Sequence, residues 1–221
     1  MGLFASNTNT DHSGNETFYF HTSNRALIVF TRNPELGKVK SRLAKVTGDE
    51  IALKIYRFLL DHTVQVTKDL KVDKYVYYSD KIGTNDCWDE NIYRKRLQSG
   101  TDLGERMHLA FHDLFSEGYE EVIILGSDMH DLSKDDIDVA FEALQANDYV
   151  IGPALDGGYY LLGMQQHIPS VFTQKEWGGD TVLKSTLNDL KSYTVHTLEE
   201  LNDIDFAEDL KPYPEFSKYI N

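Results

Sequence analysis

The 221-residue chain has one cysteine, Cys87, five prolines, and 22 lysines and arginines against 36 aspartates and glutamates. A lone thiol excludes an intramolecular disulfide framework and any cysteine-based zinc site. The resulting net charge of −14 repels a phosphodiester backbone and excludes a general DNA or RNA binder. Long apolar runs are also missing. The longest, residues 26–30 and 122–125, fall far short of the roughly 20 residues that cross a bilayer. No internal repeat or low-complexity block is visible. What remains is 41% hydrophobic and 26% charged, ordinary usage for a globular chain with a substantial core. A soluble protein of a reducing, cytoplasmic compartment is expected.

Residues 1–24 are rich in Asn, Thr, Ser and His and lack the basic and apolar regions of a secretory signal. They are expected to form a flexible tail preceding a single domain over residues 25–221. Residues 1–6 fit the N-myristoylation pattern and Asn15-Glu16-Thr17 fits the glycosylation sequon, but both patterns are short and nothing else in the sequence supports them.

From Arg25 onward, strand and helix signals alternate. Residues 26–30 are a continuous, β-branched apolar run suited to a strand buried on both faces. Residues 49–70 place Ile51, Ile55, Phe58, Leu59, Val66 and Leu70 at helical spacing. Residues 75–78 read as a second strand. Thr101 or Asp102, with Glu105, can cap a helix whose buried stripe would be Leu103, Met107, Ala110, Phe111 and Leu114. Residues 122–125 form the clearest central strand, and Ser133 with Asp136 opens a helix carrying Ile137, Ala140, Phe141 and Leu144. Residues 149–151 and 159–162 are further strands around a glycine-rich turn. This order predicts a three-layer α/β/α sandwich with a mostly parallel central sheet. Ligands in such sheets bind beyond the carboxyl ends of the strands.

Four segments at those ends could carry chemistry. The loop after the first strand holds Arg32, Lys38, Lys40, Arg42 and Lys45 against Glu35 alone, a local +4 that leaves −18 on the rest of the chain. Such a loop suits a phosphate-bearing ligand, with Gly37 allowing close backbone approach. It is not a Walker A loop, and a solvated loop leading into a basic helix start is an equal alternative. Gly126-Ser127-Asp128 places a carboxylate at the end of a central strand, where it could hold Mg²⁺ or cap a turn. His130 beside it could be a ligand or base, or a structural turn residue. Asp156-Gly157-Gly158 could be a hairpin turn, or could lay bare backbone against an acceptor with Asp156 hydrogen-bonding it. The acidic run from Asn202 to Leu210 could supply a second metal ligand or remain solvated.

Taken together and in this order, the segments resemble the radical-SAM/selenodomain-associated transferases, kin of the 2-phospholactate guanylyltransferases within the nucleotide-diphospho-sugar transferase superfamily of GT-A fold. Residues 33–43 resemble Pro-x-x-Gly-x-x-Lys-Thr-Arg-Leu. Residues 98–107 resemble Gln-x-Gly-x-Asp-Leu-Gly-Glu-Arg-Met, and residues 126–128 a Gly-Ser-Asp metal turn. Residues 152–163 resemble Gly-Pro-Ala-x-Asp-Gly-Gly-Tyr-Tyr-Leu-Leu-Gly, the most specific match. Asp203-Ile204-Asp205 with Glu208-Asp209-Leu210 resembles the closing Asp-x-Asp-x-x-x-Asp-Leu segment. Three positions depart: Ser41 replaces threonine, His130 replaces proline, and Trp177-Gly178-Gly179-Asp180 stands where a Trp-Ser-Thr run is usual.

The resemblance implies a Mg²⁺- or Mn²⁺-dependent transferase using a nucleotide or nucleotide-sugar donor and a small-molecule acceptor. Asp128 and Asp205 would hold the metal. Gly37, Lys38, Ser41, Gln98 and Gly100 would bind the nucleotide, with Gly157 and Gly158 completing the site near the acceptor. Lys40, Arg42 and Asp156 would serve the reaction. Glycosyl transfer is the leading reading. Nucleotidyl transfer onto a small phosphorylated acceptor and a catalytically decayed nucleotide-binding protein are the alternatives.

Overall fold

The computed structural model describes residues 21–219 and, nearer the N-terminus, the backbone of two three-residue strands, β1 (Thr8–Thr10) and β2 (Glu16–Phe18), which pair antiparallel. The expected flexible tail therefore falls largely outside the described residues, as do residues 1–6 and Asn15 of the sequon. Just beyond, the Thr22 amide donates to Asp73 Oδ2 at 3.1 Å and ties residue 22 to the main sheet.

Alternation of strand and helix signals yields a seven-stranded sheet in the order β5-β4-β3-β6-β8-β7-β9. Its strands are β3 (Arg25–Thr31), β4 (Asp73–Tyr78), β5 (Tyr93–Leu97), β6 (Glu121–Gly126), β7 (Tyr149–Pro153), β8 (Tyr159–Met164) and β9 (Val195–Thr197). β3 pairs in parallel with both β4 and β6, β4 with β5, and β7 with β9, whereas β8 runs antiparallel to β6 and β7. The sheet is mostly parallel, as expected, and β6 lies at its centre.

Side chains alternate across each strand, so β3 feeds two cores. Leu27 and Val29 pack with Tyr56 and Leu60 of α2 (Asp49–Thr67) and with Ile137, Ala140, Phe141 and Leu144 of α4 (Lys134–Leu144). Ala26 and Ile28 meet Met107, Ala110, Phe111 and Leu114 of α3 (Leu103–Ser116) and Val171 and Phe172 of a 3-10 turn, Pro169–Phe172. The three expected layers are present. A third apolar cluster joins Leu43 of α1 (Ser41–Thr47) and Ile55 and Leu59 of α2 to Ile204, Leu210 and Phe216 near the C-terminus.

Two details of the helical stripes differ from expectation. Leu103 and Phe58 are 44% and 41% exposed, since each sits at the margin of its buried face. The Asp102 side chain does accept from the Glu105 amide, but Glu105 reaches back to the Thr101 amide and hydroxyl rather than to the Asp102 amide. Besides β1 and β2, three elements carried no clear sequence signal: β5, α5 (Val182–Asp189) and β9.

The site follows from the strand order. The chain leaves β3 toward β4 on one side, while β6 occupies the other side, so a crevice opens beyond the parallel carboxyl ends of β3 and β6. Because β8 is antiparallel to β6, the turn between β7 and β8 opens at the same edge.

Candidate functional site

Three loops meet over that crevice. The loop after β3 is anchored first by the hydroxyl of Tyr56, a buried residue of α2. It lies 3.2 Å from Thr31 Oγ1 and 3.3 Å from Ser127 Oγ, and accepts the Arg32 amide at 2.9 Å. One phenol thus ties the β3 loop to the β6 loop. Asn33 then clamps the neighbouring loop after β4, accepting the Asp80 and Lys81 amides and donating to the Lys81 carbonyl.

The loop enters α1 through Lys40, whose backbone is left-handed at φ 48° and ψ 47°. That conformation costs a non-glycine residue about 1–2 kcal/mol. It directs a side chain only 4% exposed across the crevice, where Nζ donates to Asp128 Oδ2 at 2.9 Å and lies 3.9 Å from Asp205 Oδ1. Arg42 Nη1 meets Asp205 Oδ2 at 2.8 Å, with its guanidinium 5.4 Å from the centre of the Phe206 ring. Burial disfavours the ammonium of Lys40, but Asp128 and Asp205 outweigh it and hold its pKa above the ordinary value. Burial likewise raises Asp128, yet Lys40 and Arg32 prevail and hold its carboxyl below the usual range.

Asp203 and Asp205 arrive from the far end of the chain. After β9 the backbone continues along β7, with the Leu201 amide donating to the Pro153 carbonyl, then bridges Met129 through Asp203 while the Ile204 amide donates to the Asp128 carbonyl. Asp203 is pushed up to about 6 by burial and by Asp128, with Asp156 and Asp205 adding and Lys40 opposing. Sequence reasoning placed a ligand in this run but singled out Asp205. The raised Asp203 carboxyl, set by neighbours distant in the chain, left no local signal.

Two cavities share the Asp128 wall. The larger, about 940 Å³, is lined by Lys38, Lys40, Ser41, Arg42, Gln98, Asp128 and Asp205, together with Arg32 and Arg106. The smaller, about 180 Å³, is lined by Asp128, Asp156, Gly158 and Asp203 and by an apolar wall that includes Met107, Tyr159 and Trp177. Lys40, Arg42, Asp128 and Asp205 therefore converge, although they come from three distant stretches of sequence.

The remaining candidates divide. Lys38 borders the large cavity but pairs with Glu35 at 2.7 Å. Gln98 spends its amide nitrogen on the Thr31 and Tyr77 carbonyls, which joins β3 to β4 and turns its carbonyl toward Arg106. Gly100, at φ 126°, permits close packing on α3, because a Cβ there would lie 2.9 Å from the Arg106 amide. Gly37 turns the loop at φ 73° and faces Asp49 rather than the cavity. Gly157, at φ 86°, packs against the Asp180 backbone, where a Cβ would come within 2.2 Å of a carbonyl oxygen. Asp156 caps its own turn by accepting the Gly158 amide at 2.8 Å.

His130 stays out of both cavities. Its Nε2 lies 2.7 Å from Glu215 Oε1, and its ring stacks on Tyr213 with centroids 4.3 Å apart. It pins the C-terminal segment to the Asp128 loop.

Oxygen donors predominate around the crevice, and such donors suit a hard cation. Among the described residues no group of three or more His, Cys, Asp or Glu side chains forms a metal cage. Asp128 with Asp205 or Asp203 could supply the one or two carboxylates with which Mg²⁺ is commonly held when phosphate oxygens complete its shell.

A sheet with this strand order, flanked by helices and carrying its crevice at the β3/β6 switch point, defines the nucleotide-diphospho-sugar transferase fold. The chain belongs to the DUF2064 family, described as an uncharacterized protein conserved in bacteria, whose model matches residues 62–179. It is 33% identical to a candidate nucleotide-diphospho-sugar transferase of known structure from Desulfovibrio desulfuricans G20, with TM-score 0.81 over 88% of each chain. The fold is also that of a 4-diphosphocytidyl-2C-methyl-D-erythritol synthase from Anaerococcus prevotii DSM 20548, at 13% identity and TM-score 0.55 over 88% of this chain and 96% of that one. A cytidylyltransferase from Leptospira borgpetersenii serovar Hardjo-bovis shares it at 11% identity and TM-score 0.55 over 90% and 88%. No curated protein matches the chain. Among the described residues no helix is long and apolar enough to cross a membrane.

Proposed function

We propose that the protein is a Mg²⁺-dependent transferase that binds a nucleoside-diphospho-sugar in the larger cavity and passes its sugar to an acceptor in the smaller one. The observation that carries this reading is the meeting of Lys40 and Arg42 with Asp128 and Asp205 across the β3/β6 crevice. A diphosphate needs fixed positive charge, and a divalent ion needs carboxylates beside it. Both kinds of group lie on one cavity wall.

Asp128 and Asp205 would hold the ion, whose chemistry when bound is to offset negative charge on the diphosphate leaving group. Lys40 and Arg42 add preorganised positive charge to the same phosphates, a contribution of a few kcal/mol per well-placed group. Gln98 and Ser41 border the nucleotide. On the other side of Asp128, the acceptor's nucleophilic oxygen forms a bond to the anomeric carbon as the bond from that carbon to the diphosphate oxygen breaks. The hydroxyl proton passes to the Asp156 carboxylate at the chamber rim, and a nucleoside diphosphate leaves.

The test is a product search by mass spectrometry with Mg²⁺, presenting nucleotide sugars and nucleoside triphosphates in parallel. Release of a nucleoside diphosphate from a sugar donor, lost in Lys40→Met, is the expected result. Pyrophosphate release from a triphosphate would instead establish nucleotidyl transfer. Nucleotide binding without turnover across both panels would indicate a binding protein.

A further inference from the structure

The charge of the molecule changes sign at Asp128. On one side five cations, Lys40 and Arg42 among them, border the large cavity against four aspartates. On the other, the small chamber presents Asp128, Asp156 and Asp203, and among the described residues no Lys, Arg or His lines it. The nearby cations are committed elsewhere. The Lys40 ammonium is held by Asp128 from the cleft side. Lys175, two residues before the chamber-lining Trp177, has a fully buried side chain paired with Asp189 at 2.5 Å and lies 3.3 Å from Ser185 Oγ.

The rest of the chamber wall is apolar and aromatic: Met107, Tyr159 and Tyr160, with Trp177 packed over Gly104, where a Cβ would lie 2.4 Å from the indole nitrogen. Its volume of about 180 Å³ is that of one ring, since a cavity of about 150 Å³ accommodates benzene. A phosphate or carboxylate placed there would face Asp156 and Asp203, with only Asp128 offset by Lys40 from the cleft side. An alcohol or ammonium would find acceptors, and a flat apolar body would find Trp177.

From this we infer that the acceptor is a neutral or cationic single-ring molecule carrying a hydroxyl group, and that anionic acceptors are rejected. The inference rests on the reading of the large cavity as the donor site. Given that reading, it selects sugar transfer over nucleotidyl transfer onto a phosphorylated acceptor, because the latter brings an acceptor phosphate into the chamber.

Three probes with one ring and three charges test it: benzyl alcohol, benzylamine and benzyl phosphate. The chain has two tryptophans. Trp88 is 2% exposed in the core, so fluorescence quenching that disappears in Trp177→Phe reports a ligand at Trp177, and its change in Asp156→Asn assigns that ligand to the chamber rather than to the cavity Trp177 also borders beside His108. Benzylamine and benzyl alcohol are expected to bind, and benzyl phosphate at least about tenfold more weakly than benzylamine, a gap of about 1.4 kcal/mol. Asp156→Asn is expected to weaken benzylamine several-fold while sparing benzyl alcohol. Benzyl phosphate binding as tightly as benzylamine, or no Trp177 signal from the amine or the alcohol, would overturn the inference. A parallel titration with UDP and GDP, in the parent chain and in Lys40→Met, reads the donor cavity alone. Failure of both nucleotides to bind the parent chain, with the amine preference intact, would remove the donor reading and leave the chamber's selectivity standing. Nucleotide binding combined with a preference for benzyl phosphate would do the reverse.

Discussion

At the residue scale, Lys40 concentrates the argument. A left-handed lysine gives up backbone stability and gains a buried contact with Asp128. Strain of this kind collects where function requires it. Lys40→Met is expected to lower nucleotide affinity at least about tenfold, the scale of one charge-assisted hydrogen bond, measurable by calorimetric titration. Tyr56→Phe is a different case. Tyr56 borders the large cavity, and its hydroxyl holds Thr31, Arg32 and Ser127 together. Losing it should cost about 1–2 kcal/mol of unfolding free energy by urea titration, with a smaller loss of nucleotide affinity. The two residues also differ in legibility. Lys40 stood out because five cations in one loop of an acidic chain need an explanation. Tyr56 looked like any aromatic on a helix face, because its importance comes from what lies 25 and 71 residues away. The raised pKa of Asp203 is illegible for the same reason, being created by burial and by Asp128 across the crevice.

At the element scale, the C-terminal segment acts as a strap that delivers Asp203 and Asp205 to the Asp128 loop. His130 fastens it through Glu215 and Tyr213. His130→Ala is expected to destabilise the protein by about 1–2 kcal/mol and to speed amide exchange in the 3-10 turn Pro214–Tyr219. Nucleotide affinity should fall less than in Lys40→Met; unchanged exchange would show that His130 does not fasten the strap. A second prediction concerns α3 and its surroundings. His167 lies 2.9 Å from His108, and burial first, then His108 and His112, pull it down to about 4. An unfolded chain takes up this proton near pH 6.5 and the folded chain only near 4, so between those values the unfolded state binds more protons. His167 therefore destabilises the fold progressively as pH falls from 6.5 to 4 and has no such effect above 6.5. Urea midpoints at several pH values should show a shallower acid-side decline in His167→Asn than in the parent. The helices and central strands were legible because their apolar period matched their burial, as in Ile137, Ala140, Phe141 and Leu144. β5 was not. Tyr-Arg-Lys-Arg-Leu reads as a solvated loop, yet Arg94, Lys95 and Arg96 pair with Asp73, Asp86 and Glu117 and make an edge strand of it. α1 is legible only as a basic helix start in one of two readings of its loop, because it spans just seven residues before Gly48 breaks it at φ 84°.

At the scale of the whole molecule, the design is a separation of charge. A chain of net −14 places five cations around the cavity on the β3 side of one crevice, while among the described residues no cation lines the chamber on the other. The layer order was legible from alternation alone, and the position of the crevice followed from it. The division into two chambers was not, because it depends on how segments near residues 40, 128, 156 and 203 fold against one another. Donor binding, to which the half-exposed Arg42 contributes, is expected to weaken as salt rises from 50 to 500 mM. The most direct test of the account is thermal unfolding with a nucleoside-diphospho-sugar, with and without Mg²⁺, comparing the parent chain with Asp128→Asn. A ligand at a hundredfold excess over its Kd adds about 2.7 kcal/mol to the folded state. The parent should show a stabilisation that grows with Mg²⁺, and Asp128→Asn should fold yet lose the Mg²⁺-dependent part. An identical Mg²⁺-dependent shift in the variant would contradict the central claim that Asp128 lies where diphosphate and metal meet.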